Sequence, residues 1–555
     1  MKPVVCAEGL VVQAGADSHA GTRILDCVDL SVQPGEVVGV IGASGSGKST
    51  LGLALAGYTR PGGRIVAGRV RIEGTDILNL PPGELRARRG RDIAFVPQSA
   101  AAAFNPAHRI DWQVTEAPVF RGEIRRDAAG PFAQTLYRAL GLPDPETIGL
   151  RYPHQLSGGQ LQRAAAAMAF AGAPKLIVFD EPTTSLDVTT QVGVLAAFRD
   201  WIRSRGTAAI YVSHDLAVVA QIADRIVVME RGRIVDQGGC IPIIAKYTSS
   251  PAGLVTSGRR RDSAEPNPLL EVEGLSFRYR RSPSDTLSDI SLSIRAGEVL
   301  GVIGESGSGK STLARVIAGL HTATSGQIRL RGQAIAARVR NRPIAQRRAV
   351  QLAFQSADIA LNPRQTVAQA LRRPLALFRG LRGKDLTRET ERLLATVELP
   401  VAMAERYPGQ LSGGQKQRVN LARALAAEPD LVICDEVTSA LDAHLRETIV
   451  ALLQRLRAEK GLALLFVTHD LSTAAGFADR ILVMHKGRIV EEGPTAQVLE
   501  DPTEAYTIDL IRSVPRAEPG WLDDVLSSRQ QNKLTAVESR VPFPTAYDQP
   551  REQSV

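Results

Sequence analysis

A long internal repeat constrains this chain more than any other feature. Residues 35–57 read GEVVGVIGASGSGKSTLGLALAG, and residues 297–319 read GEVLGVIGESGSGKSTLARVIAG, identical at 17 of 23 positions. RYPHQLSGGQ (151–160) returns as RYPGQLSGGQ (406–415), LIVFDEPTTSLD (176–187) as LVICDEVTSALD (431–442), and YVSHDL (211–216) as FVTHDL (466–471). Motifs that recur in one order and at nearly one spacing mean a duplicated domain. We divide the chain accordingly into a first domain (1–247), a linker (248–268), a second domain (269–500) and a C-terminal extension (501–555). The linker is rich in Ser, Pro, Gly and Arg and reads as flexible. The extension from about Pro515 is rich in Gln, Ser and Pro, shows little apolar periodicity, and is expected to be partly disordered.

Composition excludes several classes. The 555 residues are 44% hydrophobic and 23% charged, as expected of a globular protein. No apolar run approaches the ~18 residues a membrane helix needs. The start, MKPVVCAEGL, lacks the basic and apolar regions of a signal peptide. Cys6, Cys27, Cys240 and Cys434 form no C-x-x-C pair, which argues against a zinc site or a disulfide framework. The net charge of +9 fits a nucleic-acid partner, an anionic membrane leaflet or an Arg-rich solvated surface, and does not choose among them.

Two stretches fit G-x-x-x-x-G-K-[ST]: Gly42 to Ser49 and Gly304 to Ser311. Each follows a β-branched run that reads as a buried strand (Val37–Ile41, Val299–Ile303) and precedes a helical pattern, the context a phosphate-binding loop requires. Glycines let the backbone wrap phosphate, and the helix N-terminus adds partial positive charge. The candidate nucleotide-binding residues are therefore Gly42, Ser44, Gly45, Ser46, Gly47, Lys48, Ser49 and Thr50, and Gly304, Ser306, Gly307, Ser308, Gly309, Lys310, Ser311 and Thr312. Lys48 and Lys310 are placed to neutralise β/γ-phosphates, and Ser49 and Ser311 to offer a hydroxyl to Mg²⁺.

The apolar runs before Asp180-Glu181 and Asp435-Glu436 read as buried parallel strands that deliver the Asp at their carboxyl ends, where ligands sit in open α/β sheets. Asp180 and Asp435 suit Mg²⁺; Glu181 and Glu436 suit polarisation of an attacking water. Gln98 and Gln355 each precede Asn-Pro by seven residues, and a neutral amide can bridge metal and water. His214 and His469 follow apolar strands and can hydrogen-bond a γ-phosphate. An isolated Gln or His is more often a satisfied surface or core residue, and these gain weight only from the repeat.

With phosphate loop, Gln, LSGGQ, Asp-Glu and His in this order, the chain resembles the ATP-binding subunits of ABC transporters from residue 4 to about residue 515. The resemblance implies an α/β fold: two tandem P-loop, RecA-like domains, each with an antiparallel β subdomain and a helical insert between Gln and LSGGQ. It also implies two ATP sites clasped between the halves, with ATP and Mg²⁺ as ligands. One pairs Lys48, Ser49, Asp180 and Glu181 with Ser412, Gly413, Gly414 and Gln415. The other pairs Lys310, Ser311, Asp435 and Glu436 with Ser157, Gly158, Gly159 and Gln160. Asp187 and Asp442 match the family's D-loop along the seam. Where the family places an aromatic ring on adenine, the second half offers Tyr279 and the first half Ala14. Since stacking contributes ~1–3 kcal/mol, the first site is expected to bind ATP more weakly or to borrow another ring.

RYPHQ and RYPGQ resemble importer subunits, and SAAAAFNP, SADIALNP and AYTIDLIRSVP resemble the peptide/nickel importer group. That group's acidic, Met-containing stretch after the Gln is replaced here by Ser-Ala, and its frequent C-terminal cysteine pair is absent. The resemblance implies a peripheral ATPase on the cytoplasmic face of the inner membrane, driving two integral permease subunits fed by an extracytoplasmic binding protein. No nucleic acid and no second copy of the chain are needed. Di- or oligopeptides lead as cargo, followed by nickel chelates, opines or glutathione. The rival from another class is a soluble twin-ABC translation or DNA-repair ATPase. Its long charged linker or cysteine clusters are missing. A pseudo-ATPase scaffold is disfavoured by Glu181 and Glu436.

Overall fold

The computed structural model describes residues 2–15, 21–43, 45–183, 186–248, 268–280, 282, 284–438 and 443–538. Ser44, Asp442, linker residues 249–267 and tail residues 539–555 lie outside the described residues.

The duplicated sequence folds into duplicated sheets. In the first half a six-stranded sheet runs in the order Arg233–Gly239, Arg225–Glu230, Val37–Ile41, Ala208–Val212, Leu176–Asp180, Ile93–Val96. All neighbours are parallel except the antiparallel edge strand Arg233–Gly239. The second half repeats this order with Arg488–Pro494, Arg480–His485, Val299–Ile303, Ala463–Val467, Leu431–Asp435 and Val350–Ala353. The central strands VVGVI and VLGVI are buried at every position, as expected of a parallel sheet covered on both faces. Each half adds a four-stranded antiparallel sheet, of which Val5–Ala14 and Thr22–Val32, or Leu270–Phe277 and Leu287–Ile294, form two strands.

Helices Ile110–Phe120 and Ala129–Ala139 occupy the first insert between Gln98 and Ser157, and Val367–Arg379 and Gly383–Thr396 the second. Each insert packs on a helix that begins inside LSGGQ, Gly158–Phe170 or Gly413–Leu425. One apolar cluster joins the first insert (Ile110, Val114, Tyr137) to that helix (Ala164, Phe170) and to the sheet (Ile177, Phe179).

The C-terminal extension is helical over part of its length. Helices Ala505–Arg512 and Trp521–Glu538 follow the second half, and the latter crosses to the first. Trp521, Leu522 and Val525 are buried in the first half's cluster. The amide of Gln221 donates to the carbonyls of Arg516 (2.6 Å) and Glu518 (3.1 Å), while its oxygen accepts from Leu522 N–H. Arg199 pairs with Asp523 at 2.6 Å. Trp521, Leu522 and Val525, joined by the partly buried Leu526, share one face of the helix, and their partners lie on another domain.

Candidate functional site

The two phosphate loops have their shape imposed from below. Gly42 sits at φ +149°, and a Cβ there would lie 2.2 Å from the Met229 carbonyl oxygen; Gly304 stands likewise over Met484. Only glycine fits a loop pressed this closely on the neighbouring strand. Lys48 and Lys310 open the helices Lys48–Leu55 and Lys310–Ile317, both side chains buried. Lys48 Nζ donates to the carbonyls of Gly42 (2.7 Å) and Ala43 (2.9 Å), and Lys310 Nζ to those of Gly304 (2.8 Å) and Glu305 (2.7 Å). Burial pushes the Lys310 ammonium down, and the carboxylates of Glu436, Asp187, Asp435 and Glu305 oppose it. Ser46 Oγ is buried and finds no hydrogen-bond partner among the described residues. A buried orphan in such a loop is the expected mark of a ligand-binding group.

Ser49 Oγ donates to Asp180 Oδ1 at 2.8 Å, and Ser311 Oγ to Asp435 Oδ1 at 2.7 Å. The two carboxyls stand at the ends of buried strands, and burial raises both from the usual range against the pull of the serine hydrogen bonds. Oxygen donors of this kind, costly to ionise unaided, suit a hard divalent cation. Among the described residues no three His, Cys, Asp or Glu side chains gather as a metal cluster. That is compatible with Mg²⁺, which takes one or two carboxylates and completes its shell from phosphate and water.

Glu181 and Glu436 lie at φ +48° and +49°, a left-handed conformation that costs a non-glycine residue ~1–3 kcal/mol. It arises because their N–H groups stay on the sheet ladder, donating to Val212 and Val467 carbonyls, while the chain must leave the strand. The Glu side chain is thereby turned from the Asp beside it toward Gln and His. Gln98 Nε2 donates to Glu181 Oε2 at 2.8 Å and Gln355 Nε2 to Glu436 Oε2 at 2.5 Å. His214 Nδ1 lies 3.3 Å from Glu181 Oε1, and His469 Nδ1 3.7 Å from Glu436 Oε1. Burial acts to raise Glu436, but hydrogen bonds from His469 and Gln355 and the charge of Lys310 hold it below the usual range. Both glutamines thus spend their nitrogen on the glutamate, which leaves the neutral amide oxygen available as an acceptor or as a lone-pair ligand for a cation.

The LSGGQ turns are built as helix caps. Ser157 Oγ accepts from Gln160 N–H while Gln160 Oε1 accepts from Ser157 N–H, and Ser412 and Gln415 repeat this. Such a box presents a glycine-bare helix N-terminus. Gly158 and Gly413 have nothing within 4 Å of a notional Cβ, whereas one on Gly159 would meet Leu186 and Thr190 at 3.2 Å. This turn therefore leans on the segment around Asp187.

That segment reaches the other half. Asp187 caps its own helix, Val188–Arg205, by accepting from Thr190 N–H, and its second oxygen accepts from Ser306 N–H at 3.4 Å. Thr189 Oγ1 donates to Glu305 Oε1 at 2.5 Å. The first half's LSGGQ, its Asp187 segment and the second half's phosphate loop thus meet on one seam. Glu305 and Thr189 were not foreseen as functional; the only hint was Glu305 replacing Ala43 in two nearly identical loops. The reciprocal Asp442 lies outside the described residues, as does Ser44.

Tyr279 stands beside the second loop's helix, its hydroxyl 3.3 Å from Thr312 Oγ1 and its ring edge-on to Phe277 and His321. It remains 39% exposed, which leaves a face for a base. In the first half Ala14 ends strand Val5–Ala14. Tyr58, just past the first loop's helix, is covered by the Arg89 guanidinium 3.5 Å from its centroid.

The ABC transporter family model matches residues 25–184 and 287–439. The peptidoglycan transport ATP-binding protein YejF of Agrobacterium fabrum is 35% identical over 515 residues, covering 90% of this chain and 93% of that protein. The glutathione import ATP-binding protein GsiA of Shigella dysenteriae is 34% identical over 538 residues, covering 89% and 86%. Among solved structures, a post-hydrolysis dimer of the ATP-binding cassette MJ0796 aligns with 41% of this chain and 98% of its own at 31% identity, with a TM-score of 0.38. Among the described residues no helix is long and apolar enough to cross a membrane. Two phosphate loops, two Ser–Asp pairs and two Gln–Glu–His sets on a duplicated fold, matched twice by one family, lead to a single conclusion: the chain belongs to the ABC transporter family as two fused ATP-binding domains, and is an ATPase coupled to transport.

Proposed function

We propose that this chain powers import of a small peptide-containing solute through separate permease subunits, hydrolysing ATP at two sites between its halves. The observation that supports the reading is the contact of Asp187 with Ser306 N–H, which joins the second half's phosphate loop to the segment on which the first half's LSGGQ turn leans. Lys48 and Lys310 would hold the β/γ-phosphates, and Ser157–Gly159 and Ser412–Gly414 would cradle the γ-phosphate from across the seam. Mg²⁺, held by Ser49 and Asp180 or by Ser311 and Asp435, with Gln98 and Gln355 beside it, would supply charge neutralisation on the phosphates. Glu181 and Glu436 polarise the attacking water and take up its proton; His214 and His469 orient them. Closing around nucleotide and parting after hydrolysis would be passed to two membrane subunits seated near Gln98 and Gln355.

Cargo follows from the company the chain keeps. One relative is named for peptidoglycan transport and another for glutathione import, and both cargoes contain peptide. We assign peptides as the class, with a binding protein outside the membrane and the chain peripheral on its cytoplasmic face. In the isolated full-length chain, changing both Glu181 and Glu436 to Gln is expected to lower ATP turnover by at least ~10²-fold. With the chain reconstituted with its permease subunits, vesicle uptake of labelled glutathione, a dipeptide and a cell-wall peptide tests the cargo. ATP-driven uptake of nickel or opines but of no peptide would overturn this assignment.

A further inference from the structure

The second phosphate loop is held by a residue outside the ATP-site motifs. Tyr506, on helix Ala505–Arg512, accepts a hydrogen bond at its hydroxyl from Glu305 N–H at 2.9 Å. Its ring lies flat on the His485 imidazole, with centroids 3.9 Å apart and planes parallel. His485 directly follows Met484, whose carbonyl forms the floor under Gly304. Burial raises the Tyr506 phenol well above its ordinary range, so the hydroxyl stays neutral. The loop is thus gripped from three sides: by Tyr506 at Glu305 N–H, by Asp187 at Ser306 N–H, and by Thr189 at the Glu305 carboxylate. In the first half, Ala43 stands in the place of Glu305 and Glu230 in that of His485, so neither the carboxylate nor the stacking partner is present.

From this asymmetry we infer that Tyr506 is a positioning residue for the second ATP site alone, holding the loop's first peptide outward so that its remaining N–H groups are preset for phosphate. The inference rests on the assignment of Glu181 and Glu436 above. Preorganisation shows in affinity, and one neutral hydrogen bond corresponds to about a fivefold change.

The test uses the full-length chain. With Glu181→Gln, only the second site turns over. Adding Tyr506→Phe keeps the ring on His485 and removes the acceptor. KM for ATP is expected to rise about fivefold, with kcat changed less than about twofold. With Glu436→Gln, where only the first site works, Tyr506→Phe is expected to leave KM unchanged. An unchanged KM in both backgrounds, or an equal rise in both, overturns the proposal. So does a fall in kcat at constant KM, the mark of lost folded enzyme. If turnover survived the double change to Gln, the glutamate assignment would fail instead. The affinity of a fluorescent ATP analogue, measured on that double variant with and without Tyr506→Phe, would still decide the role of Tyr506, an unaltered affinity counting against it.

Discussion

The two halves carry the same hydrolytic set and surround it differently. Lys48, Ser49, Asp180, Glu181, Gln98 and His214 make the contacts that Lys310, Ser311, Asp435, Glu436, Gln355 and His469 make, to within 0.4 Å in the Glu–His separation (3.3 against 3.7 Å). Around that set the second half has the Tyr279 ring, Glu305 bridged to Thr189, and Tyr506 on His485. The first half has Ala14, Ala43 and Glu230 in those places. It receives the C-terminal helix Trp521–Glu538 in return. Groups proposed to touch the reacting atoms are kept in both copies, while the groups around them differ. Two sites of equal chemistry and unequal binding are the expected result.

The comparison can be broken in several places. The largest effect should come from the single glutamate variants at low ATP. With the second site expected to bind more tightly, Glu436→Gln should remove most of the turnover and Glu181→Gln far less. Equal losses across an ATP titration would mean the sites are equivalent.

Next is the anchor of the C-terminal helix. Trp521→Ala empties a buried ring site in the first half's cluster and is expected to cost ~3–5 kcal/mol. In calorimetry the first half's transition should fall while the second's holds; a fall in the second alone would show that the helix belongs there.

The base-stacking difference is smaller. Tyr279→Ala should weaken nucleotide binding at the second site by ~1–3 kcal/mol, and Ala14→Tyr should strengthen the first, both read with a fluorescent ATP analogue. No change on either substitution would remove the ring from the account.

The smallest effect concerns the helix after each Asp-Glu. Arg446 pairs with Asp470 at 2.7 Å beside His469, a partly exposed ion pair, whereas Gln191 occupies the equivalent place in the first half and donates to Thr183 Oγ1. Arg446→Gln is expected to cost ~0.2–1 kcal/mol, measured by denaturant unfolding.

Much of this was legible before any coordinates. The strands leading into each phosphate loop and each Asp-Glu pair are short apolar runs bounded by glycine or charge, and they form where the pattern places them. LSGGQ spells a capping box, a Ser with a Gln three residues on, and it caps a helix. The docking of the extension was not legible, because the partners of Trp521, Leu522 and Val525 lie on the first domain, hundreds of positions away. Tyr506 was visible only as part of a familiar string, and Thr189 and Arg529 not at all. Arg529 ties Asp509 and Ser513 of the C-terminal extension to the Thr189 carbonyl of the first half, a link between residues 340 positions apart.

By itself the sequence determined the duplication and the sheet-forming segments, and it singled out the candidate groups for holding phosphate and activating water, because those depend on residue type and local spacing. Only the tertiary structure decided how Glu181 and Glu436 are aimed, through a left-handed turn forced by the sheet ladder, and which loop of one half meets which segment of the other. It alone decided that the chain's last described helix returns to its first domain. These features rest on contacts between residues hundreds of positions apart, such as Arg199 with Asp523, and the energy of such a contact depends on where the whole fold delivers each partner.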